Sequence, residues 1–131
     1  MYRIYSHEGG DALDLKFVKE LNVLIVKINC ELDHHTSDSL RRRVDGEIQR
    51  YMPKNVVFDF DGVGFMDSSG IGMVMGRYKN IKRYEGKAVM ANVRPEIKRI
   101  FEMSGITKLI PQYTSVAKAL ESMQGGSKDA I

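Results

Sequence analysis

Val56-Val57-Phe58-Asp59-Phe60 and, one short loop later, Met66-Asp67-Ser68-Ser69-Gly70-Ile71-Gly72 decide how this chain is read. The first run is short, bulky and apolar, as a strand buried on both faces of a parallel sheet must be. After the second, Ile71, Val74, Met75, Tyr78 and Ile81 recur at helical spacing, which predicts a helix near 70–84 stopped by Gly86. Ser68 and Ser69 therefore sit where a strand hands over to a helix, and either hydroxyl is suited to cap it. A phosphoryl group there would meet unpaired backbone N–H groups and the positive end of the helix dipole.

Working outward, the runs 13–17 and 23–28 read as an antiparallel hairpin turning at Glu20-Leu21-Asn22. Tyr2-Arg3-Ile4-Tyr5 suits a further edge strand, and Gly9-Gly10 a break. Thr36 is expected to cap a helix that runs to about Tyr51 and is stopped by Pro53. Downstream, a strand is predicted over 55–60 and another over 87–91. A helix opened by Pro95 carries Ile97, Ile100 and Phe101 inward to Gly105; then follow a strand over 108–110 and a last helix from near Thr114. Such alternation implies parallel pairing with right-handed crossovers: a mixed α/β sheet fronted by the hairpin, with about four helices. The expected organisation is an N-terminal extension over 1–12, one domain over 13–124, and a flexible tail over 125–131.

The chain has 131 residues, room for one domain with a core that needs neither disulfide nor structural metal. Cys30 is the single cysteine, which excludes an internal disulfide and fits a reducing, cytoplasmic setting. No signal peptide or membrane-length apolar run is visible. A net charge of +3, with acids and bases interspersed, disfavours nucleic-acid binding. The basic run Arg41-Arg42-Arg43 lies on the helix whose apolar positions are Leu40, Val44 and Ile48, and reads as a solvated face.

In an open α/β sheet, working residues gather beyond the carboxyl ends of the strands. Two loops there are unusually polar: Glu31-Leu32-Asp33-His34-His35-Thr36, and the stretch from Asp61 to Ser69. Parallel topology should set them side by side, uniting Asp33, His34, Asp67, Ser68 and Ser69. A hydrolase nucleophile is disfavoured, because Met66 and Asp67 stand where the elbow before Ser68 or Ser69 needs glycine. Asp59-Phe60-Asp61-Gly62 begins like a calcium loop and then fails at the later ligands. Cys30, His34 and His35 lack a fourth zinc ligand. Gly62-Val63-Gly64 and Gly70-Ile71-Gly72 carry neither a phosphate-loop lysine nor a dinucleotide fingerprint. A receiver that accepts phosphate on aspartate stays open, with Glu31 and Asp33 as its acidic pair. Met75 shares the apolar stripe and is expected in the core; Met73 lies off that stripe and is expected exposed, available to a partner.

The acidic loop, Phe65-Met66-Asp67-Ser68-Ser69-Gly70-Ile71-Gly72, Gly76-Arg77-Tyr78-Lys79 and Arg99-Ile100-Phe101-Glu102-Met103-Ser104-Gly105, in this order, resemble the anti-sigma factor antagonists with the STAS fold, of the sporulation sigma-F type. The resemblance spans about residues 13 to 123. It implies a switch without enzymatic activity, a monomer when free, needing no cofactor or metal. In such a switch the unphosphorylated antagonist binds an anti-sigma factor that is also a serine kinase, and so frees the sigma factor. Phosphorylation turns the antagonist off, and a metal-dependent serine phosphatase restores it. By position the acceptor falls on Ser68, and the partner surface on Asp33, His34, Met66, Asp67, Ser69, Gly70 and Met73. Two departures are visible: Cys30 replaces the glycine usual before Glu31-Leu32-Asp33, and the N-terminal segment is longer. The alternative is a STAS or receiver-like module binding phosphate or nucleotide in another pathway.

Overall fold

The computed structural model describes residues 4–8 and 12–124. Strands β1 (Ile4–Glu8), β2 (Leu13–Val18) and β3 (Val23–Ile28) lead into α1 (His34–Tyr51), β4 (Asn55–Asp59), α2 (Ser68–Arg83), β5 (Ala88–Ala91), α3 (Pro95–Ser104), β6 (Gln112–Tyr113) and α4 (Val116–Gln124). The strands stand in the sheet in chain order, antiparallel from β1 to β3 and parallel from β3 to β6. This is the expected mixed sheet with its hairpin and, among the described residues, four α-helices.

The hairpin follows from a period of two. Leu13, Leu15 and Phe17 are buried while Asp14 and Lys16 are half-buried, and the register runs from Leu13↔Ile28 to Val18↔Val23. A 3-10 turn over Lys19–Leu21 closes it, with Asn22 left-handed at φ 54°, a conformation Asn tolerates better than most residues. Part of the expected N-terminal extension joins the sheet, since β1 pairs with β2. Tyr2, Arg3, the Gly9-Gly10 break and the expected tail over 125–131 lie outside the described residues.

The central strands are apolar on both sides because both sides are covered. Val56, Phe58 and Met90 pack with Leu40, Val44, Val74, Ile81, Ile97 and Phe101 under α1, α2 and α3. Val23, Val57, Val89 and Ala91 pack with Ala119 and Leu120 of α4 on the opposite face. Phe17 stacks on Tyr51 with centroids 4.7 Å apart, and Phe60 meets Phe101 edge-on at 5.2 Å. Strand order never reverses, so successive right-handed crossovers keep α1 to α3 on one face. Doubly wound sheets hold ligands in the crevice made where the order reverses. This sheet has no such point, and its strand-end loops form a surface instead.

One strand is misplaced by the sequence reading. Residues 106–108 form a 3-10 turn after Gly105, whose φ is 81°, and β6 is Gln112–Tyr113 beyond Pro111. Ile110 is buried all the same; its burial, rather than strand pairing, makes the 108–110 run look like a strand.

Candidate functional site

The two polar loops are joined by backbone. Leu32 and Met66 form an isolated parallel bridge: Leu32 N–H donates to the Phe65 carbonyl at 3.0 Å, and Asp67 N–H donates to the Leu32 carbonyl at 3.0 Å. Both bridge side chains are buried. Each is followed by an aspartate in extended conformation that caps a helix, Asp33 for α1 and Asp67 for α2. The juxtaposition expected from topology is thus built from two hydrogen bonds and two apolar anchors.

The caps differ from the sequence reading. Asp33, not Thr36, is the N-cap of α1: its Oδ1 accepts from Thr36 N–H at 2.9 Å while Thr36 Oγ1 accepts from Asp33 N–H at 3.0 Å. This is a reciprocal capping box, with threonine in the place usually taken by Glu or Gln. The Thr36 hydroxyl has the Glu31 carbonyl at 2.7 Å and Asp33 Oδ1 at 3.1 Å as alternative acceptors. The Thr36 N–H and hydroxyl, with His35 contributing less, hold the Asp33 carboxyl below the usual aspartate value. In α2 the cap is Asp67, whose Oδ1 accepts from Ser69 N–H at 2.8 Å. Neither serine hydroxyl is needed for capping; Ser68 is the exposed first residue of α2 and Ser69 is half-buried beside it. A carboxylate caps as well as a serine hydroxyl and also complements the dipole.

The platform has a tightly fitted floor. A Cβ on Gly70 would stand 2.4 Å from Met66 Cγ, 2.6 Å from its Sδ and 3.1 Å from Leu32 Cβ, so only glycine lets α2 start this close to the bridge. Met66 and Met73 are both 3% exposed. The expectation that Met73 is exposed is therefore corrected. The buried residues of α2 are Gly70, Met73, Val74 and Ile81, because α2 packs against α1 as well as the sheet, and the stripe is wider than a single apolar row. Met75, expected in the core, is partly buried against it.

The end of β4 is tied down on two sides. Asp59 Oδ1 accepts from Asp61 N–H at 3.1 Å and from Asn92 Nδ2 at 3.0 Å, tying the end of β4 to the end of β5. Arg94 Nε and Nη2 donate to the Asp61 carbonyl at 3.0 and 2.8 Å, pinning the turn before the serine loop. Among the described residues no group of three His, Cys, Asp or Glu side chains is placed to hold a metal ion. Cys30 packs partly buried against the core; burial, then the charges of Asp33 and Glu31, push its thiol above the ordinary cysteine value, which disfavours the thiolate.

Asp33, His34, Asp67, Ser68 and Ser69 thus come together on one surface, while Met66, Gly70 and Met73 are buried. Two contributors escaped the sequence reading. Phe65 is 51% exposed at the edge of the serine loop. Arg94 gives no signal, since only the fold brings it to Asp61.

A family model described as "STAS domain" matches residues 14–119. An anti-sigma F factor antagonist of Paenibacillus polymyxa is 38% identical over 112 residues, covering 86% of this chain and 96% of the relative. An anti-sigma F factor antagonist of Lysinibacillus sphaericus is 29% identical over 102 residues, covering 78% of this chain and 86% of that one. The Bacillus cell fate determinant SpoIIAA, solved in its phosphorylated form, superposes with a TM-score of 0.66 at 26% identity, covering 84% of this chain and 97% of that one.

Proposed function

This chain belongs to the STAS-domain family and stands among its anti-sigma factor antagonists; from that premise we propose that it is a partner switch controlled by phosphorylation of Ser68. Unphosphorylated, it binds an anti-sigma factor that is also a serine kinase and releases the sigma factor, of the sporulation type. Such a protein is a regulatory binding module rather than an enzyme. A metal-dependent serine phosphatase reverses the modification. No described helix is long and apolar enough to cross a membrane, which is compatible with work in the cytoplasm.

The observation that carries the proposal is the placement of Ser68. Its hydroxyl is exposed at the first position of α2, released from capping by Asp67 and held beside the acidic loop by the Leu32–Met66 bridge. The contact surface is Asp33, His34, Asp67, Ser68 and Ser69, with exposed Phe65 as its apolar edge; Met66, Gly70 and Met73 are buried. A phosphoryl group on Ser68 adds about −1.5 to −2 charges beside Asp67. The helix N-terminus offsets this within the free chain by about 0.3–1 kcal/mol, so the fold persists. At an interface an uncompensated buried charge costs about 3–5 kcal/mol, and each 1.4 kcal/mol is tenfold in affinity. Local charge alone is enough to separate the partners.

The test is peptide mass spectrometry of the chain incubated with ATP and the serine-kinase anti-sigma factor of the same genome. One phosphate on Ser68, absent from Ser68→Ala, is the expected result. No phosphate and no complex in ADP would reject the reading. Labelling of an aspartate by acetyl phosphate and magnesium, without any kinase, would favour the receiver alternative.

A further inference from the structure

Beside the serine platform an open groove of about 270 Å³ runs between the opening turns of α1 and α2. Its α1 wall carries His34, Ser37, Asp38 and Arg41, and its α2 wall Ser69, Gly72 and Arg77, with Met73 between them. Three features set it apart from an ordinary gap between helices.

The first is convergent positive charge. The Arg77 side chain is only 11% exposed; its Nε lies 2.8 Å from Asp45 Oδ1, and its Nη1 donates to the Met73 carbonyl at 3.2 Å. The Nε–H is not aimed along the Asp45 contact, which is therefore an ion pair without a well-formed hydrogen bond. Burial, with the charge of Arg41 added and Asp45 opposing, holds the Arg77 guanidinium below the ordinary arginine value. Two guanidiniums thus repel each other across the groove. The second feature is Ser37, whose residue is 5% exposed and whose buried Oγ has no hydrogen-bond partner. Buried hydroxyls are nearly always satisfied. The third is Gly72, where a Cβ would meet nothing within 4 Å. Alanine favours a helix interior more than glycine does, so glycine here costs helix stability and keeps the groove open.

We propose that this groove is an anion subsite of the partner interface, taking one aspartate or glutamate side chain of the anti-sigma partner between Arg41 and Ser37. The inference rests on the function proposed above and names what that surface recognises. A single carboxylate suits the charge balance: Asp38 already pairs with Arg41 and lies 3.2 Å from Arg42, and Asp45 pairs with Arg77. One further negative charge relieves the Arg41–Arg77 repulsion, and a carboxylate monoanion meets less repulsion from Asp38 in the α1 wall than a phosphoryl dianion would. Ser69 lines the groove and Ser68 does not, although Ser68 stands one helical turn before Gly72. The groove and the switch are then neighbouring parts of one interface.

The experiment is calorimetric titration of the kinase partner into the full chain at two salt concentrations, for the parent, Arg41→Gln, Gly72→Gln and Ser68→Asp. Arg41→Gln is expected to weaken binding about tenfold and to flatten its salt dependence. Gly72→Gln, which fills the groove without changing charge, should weaken it at least as much. Both variants should melt within about 2 °C of the parent, as substitutions at exposed positions do. An alanine scan of the partner's acids should find one whose effect vanishes in Arg41→Gln. If both groove variants bind like the parent while Ser68→Asp does not, the subsite is overturned and the function stands. Weakening by Gly72→Gln alone makes the groove an uncharged contact and also overturns the proposal. A parent that forms no complex overturns the functional reading and the subsite with it.

Discussion

The acidic loop entering α1 and the serine loop entering α2 share one plan: a buried bridge residue, then an aspartate in extended conformation as N-cap. They are finished differently. In the first, Thr36 answers Asp33 in a closed capping box; in the second, Asp67 reaches Ser69 N–H and nothing reaches back. The closed loop is a fixed wall, and the open one leaves the Ser68 hydroxyl free. A switch needs both: a rigid reference surface and a group beside it that chemistry can change without unfolding the frame. The contrast predicts that substitutions in the open loop act on binding and those in the closed loop on stability.

The sharpest way to break that contrast is Ser68→Asp. A permanent charge there should weaken anti-sigma binding by about a hundredfold or more, with circular dichroism and melting unchanged, while Ser68→Ala binds like the parent. Loss of fold in Ser68→Asp would show the open loop to be structural after all. Next comes Gly70→Ala, at the joint between the loops. Its methyl group would overlap Met66 and crowd Leu32, and overpacking of this kind costs about 1–3 kcal/mol. For a domain of this size the melting temperature should fall by at least several degrees, with partner binding weakened in proportion to the displaced serine loop. A melting point equal to the parent's would mean the bridge is loose, and the platform not rigid.

The frame was legible in the sequence because it follows from periodicity. The alternation of Leu13, Leu15 and Phe17, the apolar run through Phe58, and the stop signals at Pro53, Gly86 and Gly105 each report one local constraint, and each falls where the fold needs it. The gathering of Asp33, Asp67 and Ser68 followed from topology alone. What stayed hidden depends on rotation about helix axes. Spacing gives the relative angle between Met73 and Val74 but not how much of α2 the neighbouring α1 covers, so Met73 was assigned to solvent. The Arg77–Asp45 pair and the clamp of Arg94 on Asp61 both join residues far apart in the chain. The cap positions were missed by a few residues because Asp33 and Thr36 are both good caps in isolation; the bridge at Leu32 decides between them.

A smaller effect separates the two caps. Asp33→Ala removes the acceptor for Thr36 N–H and the Oδ1 that faces the Thr36 hydroxyl, and should lower the melting temperature by several degrees. Asp67→Ala removes a single acceptor and should lower it less, but weaken the partner complex more. Equal melting shifts would mean that the contact between the Thr36 hydroxyl and Asp33 Oδ1 adds nothing.

The smallest effect is in acid, and its sign follows from Asp33. The Thr36 donors hold its folded carboxyl below the ordinary aspartate value, so the unfolded chain takes up the proton first. The stabilisation is therefore complete above the unfolded value, near pH 4, and disappears as pH falls through the lower, folded one. Other carboxylates titrate in the same range, so the useful quantity is a difference between variants. Asp33→Asn keeps an acceptor for Thr36 N–H but cannot titrate. Its melting temperature should lie below the parent's at neutral pH, and the gap should narrow as pH drops below about 4. A gap that stays constant into acid would assign the cap's strength to geometry rather than charge. The α1 loop would then differ from the α2 loop only in the number of its hydrogen bonds.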